Sequence, residues 1–236
     1  LLKYKLEHFY GSQEKYDLQL VRLKLDTENL DEKEALENGW LYSEKWYQCR
    51  SVRINIKEYK SKSHKYTIDY FSYTNEFVKE TVEKIYKEYI EYKKFDEKYN
   101  VFVDPERTAW LILKDNETPV AFTKFNMYNF GIESQFTAWN YHKPRLSIGK
   151  AIVDYEINIA EKLGYEYLYI GQGYENGSKY KADFGGFEWW TGSEWSKDKE
   201  LYRKLCSRDS EINSLNQLAE VYNKKWQNSE VEENIS

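Results

Sequence analysis

The run Arg145-Leu146-Ser147-Ile148-Gly149-Lys150 places two cations, a hydroxyl and a glycine directly before a segment of helical periodicity. A helix start presents unpaired backbone N–H groups and a partial positive charge, so such a run suits a phosphate or another anion. It is not a nucleotide-binding P-loop. GxxxxGK[ST] needs a glycine where Pro144 stands, and Ala151 replaces the hydroxyl that would hold magnesium. Read alone, the motif does not outweigh an ordinary helix start in which Gly149 permits close packing.

A second group with chemical potential is the basic block KWYQCRSVRINIKEYKSKSHK, which carries Lys45, Arg50, Arg53, Lys57, Lys60, Lys62 and Lys65 against Glu58. Charge alone favours a solvated face; the functional reading is a phosphate-contacting surface for RNA. The two cysteines, Cys49 and Cys206, are far apart and have no CxxC spacing, which argues against a disulfide framework or a cysteine zinc site. His8, His64 and His142 form no HExxH, so no metal is expected.

These groups must be held by a fold. The chain has 236 residues, net charge -5, 18% aromatics and 23 tyrosines. Its mean hydropathy is -0.88, yet that aromatic content supplies far more packing material than disordered chains have. No apolar run reaches membrane-spanning length and no signal-peptide core opens the chain, so a soluble, cytoplasmic protein is expected. SVRINI alternates Val52, Ile54 and Ile56 as a half-buried strand. From Asn75 to Phe95, Phe77, Val78, Val82, Ile85, Tyr86, Tyr89 and Tyr92 recur at helical spacing. TAWLILKD and PVAFTKFNMYN flank NET as a hairpin, and IESQFTAWNYH reads as a further strand.

The next helix carries an apolar stripe of Ile148, Ile152, Tyr155, Ile159 and Leu163, with Lys150, Asp154, Asn158, Glu161 and Lys162 turned elsewhere, and Gly164 ends it. YEYLYIG suits a central strand. KADFGGFEWWTG reads as a hairpin turning at Gly185 and Gly186, and helices over about Lys199–Cys206 and Glu211–Trp226 close the chain. The expected class is α+β, a three-layer arrangement with a mixed sheet flanked by helices and a smaller N-terminal α+β segment. The expected divisions are residues 1–70 with the basic block, 71–206 as the main domain, and 207–236 as a helix and frayed tail.

The succession LSIGKAIVDYEINIAEKLGYEYLYIG, then ENGSKYKADFGGFEWW, resembles the C-terminal half of the aminoacyl-tRNA–protein transferases. These are the arginyltransferases and their bacterial leucyl-transferring relatives, with a catalytic domain of the GNAT acyltransferase type. Ser147, Ile148 and Gly149 match that family's Ser-Leu-Gly loop, Leu163 to Gly171 match its Leu-Gly-x-x-Tyr-x-Tyr-Leu-Gly strand, and Ser178, Lys179, Tyr180 and Lys181 match its Lys-Met-x-Tyr-Lys element loosely. An upstream Cys-x-x-Val-Arg-Ile segment with a following basic element is matched by Cys49, Val52, Arg53, Ile54, Ser61, Lys62, Ser63 and Lys65. The matches fall in the family's order and span roughly residues 39 to 191. Of the family's cysteine cluster only Cys49 is present, and its Tyr-Asp-Pro is replaced by Trp139, Asn140 and Tyr141, so a neutral amide stands in the acid's place.

The resemblance implies transfer of an amino acid from aminoacyl-tRNA to an amine of a protein or peptide, with no cofactor beyond that co-substrate. Asn140 and Tyr141, beside Trp139 and His142, would orient the amine, and Tyr180 would protonate the leaving ribose oxygen. Arg145, Ser147, Gly149 and Lys150 would grip the donor's terminal phosphate. Arg53, Lys57, Lys60, Lys62, Lys65, Lys179 and Lys181 would track the tRNA. Trp189, Trp190 and Trp195 read either as a base-stacking cluster or as core. The chief alternative is an acyl-CoA-dependent GNAT N-acyltransferase. Its Arg/Gln-x-x-Gly-x-Gly/Ala loop is met by Gly149 and Ala151, with Arg145 offset by one. A noncatalytic RNA- or partner-binding derivative is the third reading.

Overall fold

The computed structural model describes residues 4–13, 16–25, 31–43, 45–60, 62–94, 100–102, 107–128, 131–140, 147–214 and 216–217. They fall into two compact units, Leu1–Arg53 with Gly171–Ser236, and Ile54–Ile170.

In the first unit, β1 (Tyr4–Gln13) and β2 (Tyr16–Leu25) pair antiparallel from Tyr4↔Leu25 to Gln13↔Tyr16. With β3 (Trp40–Ser43) and β4 (Lys45–Gln48) they form a sheet of order β1-β2-β4-β3. The short α1 (Glu32–Glu37) starts at Asp31, whose carboxylate accepts from Glu34 N at 2.8 Å. Gly39 follows at φ +75, and a Cβ there would overlap the Trp190 ring, so both the backbone angle and the packing require glycine.

β5 (Ser51–Asn55) leads the chain into the second unit. Ser51 to Ile54 are all buried, Arg53 included, so this strand is not the half-buried one that its alternation suggests. Where the chain returns to the first unit, a 3₁₀ helix occupies Asn176–Asp183. It is followed by β11 (Phe187–Trp190), β12 (Trp195–Ser196) and α4 (Lys199–Asp209), the last capped by Asp198. The hairpin expected at Gly185 and Gly186 therefore forms one step later. The residues before those glycines coil as 3₁₀, and the reversal falls between Trp190 and Trp195, where Thr191 N donates to Glu194 O at 2.9 Å. Of the final expected helix, residues 211–214 are not helical, residues 216–217 are, and residues 215 and 218–226 lie outside the described residues.

In the second unit, β6 (Thr67–Phe71), α2 (Glu76–Lys93), β7 (Thr108–Asp115), β8 (Thr118–Met127), β9 (Ile132–Trp139), α3 (Ile148–Lys162) and β10 (Tyr167–Gln172) follow in order, β10 running on into the first unit. The strands lie as β10-β9-β8-β7-β6, with β9 and β10 parallel and the other pairs antiparallel. The result is an α+β fold with a mixed sheet flanked by helices. α2 begins at Asn75, whose side chain accepts from Val78 N at 2.8 Å. It packs Val78, Val82 and Ile85 on Trp110, Ile112, Phe122 and Ala138. Each of those three α2 side chains contributes about 1.5–3 kcal/mol by burial.

The β7–β8 reversal is made by Asn116 and Glu117, both left-handed at φ 51 and φ 63, as a tight hairpin matching strand twist requires. In β9 the register jumps from Lys124↔Phe136 to Phe125↔Ser134, a bulge that turns Ser134 to the face opposite α2. There its hydroxyl donates to Glu156 Oε1 of α3 at 3.1 Å, which places α3 on that opposite face.

α3 is buried more broadly than its expected stripe. Ile148, Ala151, Ile152, Val153, Asp154, Glu156, Ile157 and Ala160 are buried, while Leu163, read as part of the apolar stripe, is 49% exposed.

Candidate functional site

The end of β9 and the first turn of α3 are pressed together by one contact. A Cβ on Gly149 would lie 3.2 Å and 3.3 Å from Trp139 ring carbons, so the missing side chain lets the indole lie on the helix start. Ser147 occupies the N-cap position in a left-handed conformation, φ 48 and ψ 38, and makes no side-chain cap bond. Its carbonyl accepts from Lys150 N and Ala151 N, each at 3.0 Å. Ser147 and Lys150 are exposed and Gly149 is half-buried. The first turn thus keeps N–H groups that no Ser147 hydroxyl satisfies.

Asn140 is fixed twice. Its backbone N donates to Val120 O at 2.8 Å, and its Nδ2 donates to Glu88 Oε2 at 2.7 Å. Glu88 lies on α2 and had no distinguishing mark among the Glu and Lys residues of that helix. The adjacent Tyr89 stands edge-on to Trp139, with ring centroids 5.8 Å apart. Tyr141 and Arg145, and His142 with them, lie outside the described residues.

The basic block is tied to the same helix. After β5 the chain forms a 3₁₀ turn over Ile56–Glu58 and then an extended loop. Asp154 of α3, 2% exposed, accepts from Tyr59 Oη and from His64 Nε2, the latter at 2.7 Å. Tyr155 Oη donates to Tyr66 O at 2.6 Å. Burial, and then the bond to Asp154, push the Tyr59 hydroxyl well above the ordinary tyrosine range. Lys57, Lys60, Lys62 and Lys65 are all exposed. Lys57 Nζ lies 3.4 Å from Glu166 Oε1, and Lys65 Nζ lies 3.3 Å from Asp115 Oδ1 and above the Tyr66 ring. Periodicity set Asp154 off the apolar stripe, but nothing local marked it as the anchor of a loop far upstream.

The remaining expected residues belong to the first unit. Arg53 is 8% exposed, donates from Nε to Glu188 Oε2 at 2.7 Å, and stacks 4.1 Å from the Trp195 ring centroid. Its guanidinium is engaged within the fold rather than presented to a phosphate. On the 3₁₀ helix, Lys179 and Tyr180 are half-buried; Tyr180 packs edge-on to Phe184, and Lys181 Nζ donates to Gln172 O at 2.6 Å. Trp189 and Trp190 are core side chains, Trp189 Nε1 donates to Asp198 O at 3.0 Å, and Trp195 Nε1 donates to Glu37 O at 2.6 Å. Of the core and base-stacking readings, Trp189 and Trp190 belong to the core, while Trp195 is half-buried with its ring against Trp190 and Arg53. Trp139, Asn140, Ser147, Gly149 and Lys150 are therefore gathered at one place in the second unit, with Glu88 added to them.

No family model matches the chain. An aspartate/glutamate leucyltransferase of Alkalilimnicola ehrlichii is 28% identical to it over 83 residues, which are 34% of this chain and 35% of that protein. The chain thus spans about a third of the length of that curated relative. Among solved structures, L-PGS from Bacillus licheniformis is similar with a TM-score of 0.45 at 16% identity, over 53% of this chain and 46% of that one. A GCN5-related N-acetyltransferase from Kribbella flavida is similar with a TM-score of 0.40 at 12% identity, over 53% and 48% of the two chains.

Proposed function

We propose that the protein is an aminoacyltransferase that moves an amino acid from aminoacyl-tRNA to an amine of a protein or peptide. Two ordered sequence segments support the reading, as does the partial similarity to a leucyltransferase. The observation that carries it is the pair of hydrogen bonds that Asp154 accepts from Tyr59 and His64. Through them one helix positions both an anion-accepting start and a lysine-rich loop, and aminoacyl-tRNA brings phosphates to both.

In this reading Arg145, Ser147, Gly149 and Lys150 hold the phosphate next to the acyl ester. Lys57, Lys60, Lys62 and Lys65 follow the acceptor arm; Arg53 and Lys181 are left out because Glu188 and the Gln172 carbonyl already engage them. The acceptor nitrogen attacks the ester carbonyl, a C–N bond forms, the C–O bond to ribose breaks, and the proton that the nitrogen sheds is taken up by the ribose oxygen. An α-amino group titrates at about 7.7–8.0, so a substantial fraction is neutral near pH 7 and alignment is the main demand on the protein. The functional boundaries follow the chemistry, with the basic block in residues 1–70 and acyl transfer in residues 71–206.

The test is to incubate the protein with a peptide panel and either labelled aminoacyl-tRNA or labelled acetyl-CoA. Label in a new peptide amide from the tRNA arm is expected. Label from the CoA arm makes the protein an acyl-CoA transferase, and transfer from neither removes both enzymatic readings.

A further inference from the structure

α2 meets the end of β9 through two adjacent residues, Glu88 on Asn140 and Tyr89 on Trp139. Glu88 and Asn140 are both half-buried, and the bond from Asn140 Nδ2 fixes one carboxylate oxygen. Among the described residues Glu88 makes no other hydrogen bond or ion pair, so Oε1 keeps its accepting capacity. A carboxylate held in this way, partly shielded from water, is a receptor for a cation that carries N–H donors. The negative charge at this strand end comes from Glu88 of α2, while the strand itself supplies the neutral amide of Asn140.

Aminoacyl transfer involves two amines with opposite needs. The accepting nitrogen must be neutral to attack, and a neighbouring carboxylate would hold it charged. The α-amino group of the donor takes no part in bond making, and it can stay an ammonium throughout. We propose that Glu88, oriented by Asn140, binds the free α-ammonium of the aminoacyl donor, and so selects aminoacyl groups over N-acylated or amine-free acyl groups. This inference rests on the aminoacyl-transfer reading and specifies its donor.

The probes are a 3′-aminoacylamido adenosine, whose amide link cannot be transferred, and its N-acetyl derivative. Both are titrated calorimetrically against the wild type, Glu88→Gln and Glu88→Asp, with thermal unfolding as the check on folding. The wild type is expected to bind the free amine roughly tenfold or more tightly than the acetylated form. The preference should fade above about pH 8, as the ammonium loses its proton. Glu88→Gln should bind the two probes alike, and Glu88→Asp should regain part of the difference. A staple that merely joins helix to strand would give no amine preference to lose. Equal binding by the wild type, no binding of either probe, or a preference that survives in Glu88→Gln overturns the inference. Transfer measured in parallel separates the two ideas. A preference abolished by Glu88→Gln without any transfer sinks the reaction and keeps the ammonium site, and transfer with an unaltered preference does the reverse.

Discussion

Several buried charges among the described residues take a partner from a distant part of the chain. Asp154 draws in Tyr59 and His64, Glu188 holds Arg53, and Asp209, fully buried, accepts from Arg50 Nη1 at 2.6 Å. Arg50 also donates to Gly173 O at 3.1 Å, so one guanidinium joins α4 to the chain leaving β10. Removing the acid would strand a buried cation. Asp209→Ala should therefore lose about 3–5 kcal/mol in urea unfolding, and the double variant Arg50→Met/Asp209→Leu should lose less than the single one. None of these pairings was legible in the sequence. Asn140 and Glu88 are 52 positions apart and Asp154 and Tyr59 are 95, and no periodicity links residues at such distances. The polar identity of Asn140 was visible, but the carboxylate beside it was not.

Elements were readable where one face decides. α2 emerged because its apolar residues recur against a charged background, and the capping asparagine stands where the helix starts. α3 was found in place but its buried face was misjudged, since Asp154 and Glu156 are buried through partners on a loop and on β9. The Gly185-Gly186 pair looked like a turn because glycine permits many conformations; the reversal went instead to the segment closed by Thr191 and Glu194. The lysine loop leads to an expected outcome of its own. In filter-binding titrations across salt, reversing Lys60, Lys62 and Lys65 to Glu should weaken tRNA binding. The slope of log K against log salt should become shallower by about two to three, at roughly 0.7–0.9 per phosphate contact. An unchanged slope would exclude the loop from the interface.

At the scale of the molecule, a net charge of -5 means that any polyanion must be met locally, so binding should collapse as salt screens the loop. A second whole-molecule property follows from buried acids that stay protonated. Burial pushes Cys206 above its ordinary value of 9.0 and Tyr202 above its ordinary value of 10.0, while Tyr59 is raised in the second unit. The folded state then holds these protons more tightly than the unfolded chain. Their contribution is complete below the ordinary values and is lost as pH climbs through them. Urea midpoints should thus hold steady, as far as these groups are concerned, up to about pH 8.5 and fall from about pH 9 upward. A thiol reagent should reach Cys206 only after unfolding, because the side chain is fully buried. Flat midpoints to pH 10.5 would contradict this account.

The bend between β7 and β8 carries a practical implication. Glu117 adopts a left-handed backbone that costs a side-chain-bearing residue roughly 1 kcal/mol, and its salt bridge to Lys114 at 3.0 Å is made by a carboxylate 79% open to water. An Asn-Gly corner suits that geometry better. Glu117→Gly should therefore toughen the protein by a few degrees in a thermal melt, which offers a sturdier parent for variants that weaken the chemistry at the end of β9, where Asn140 N bonds Val120 O just after this turn.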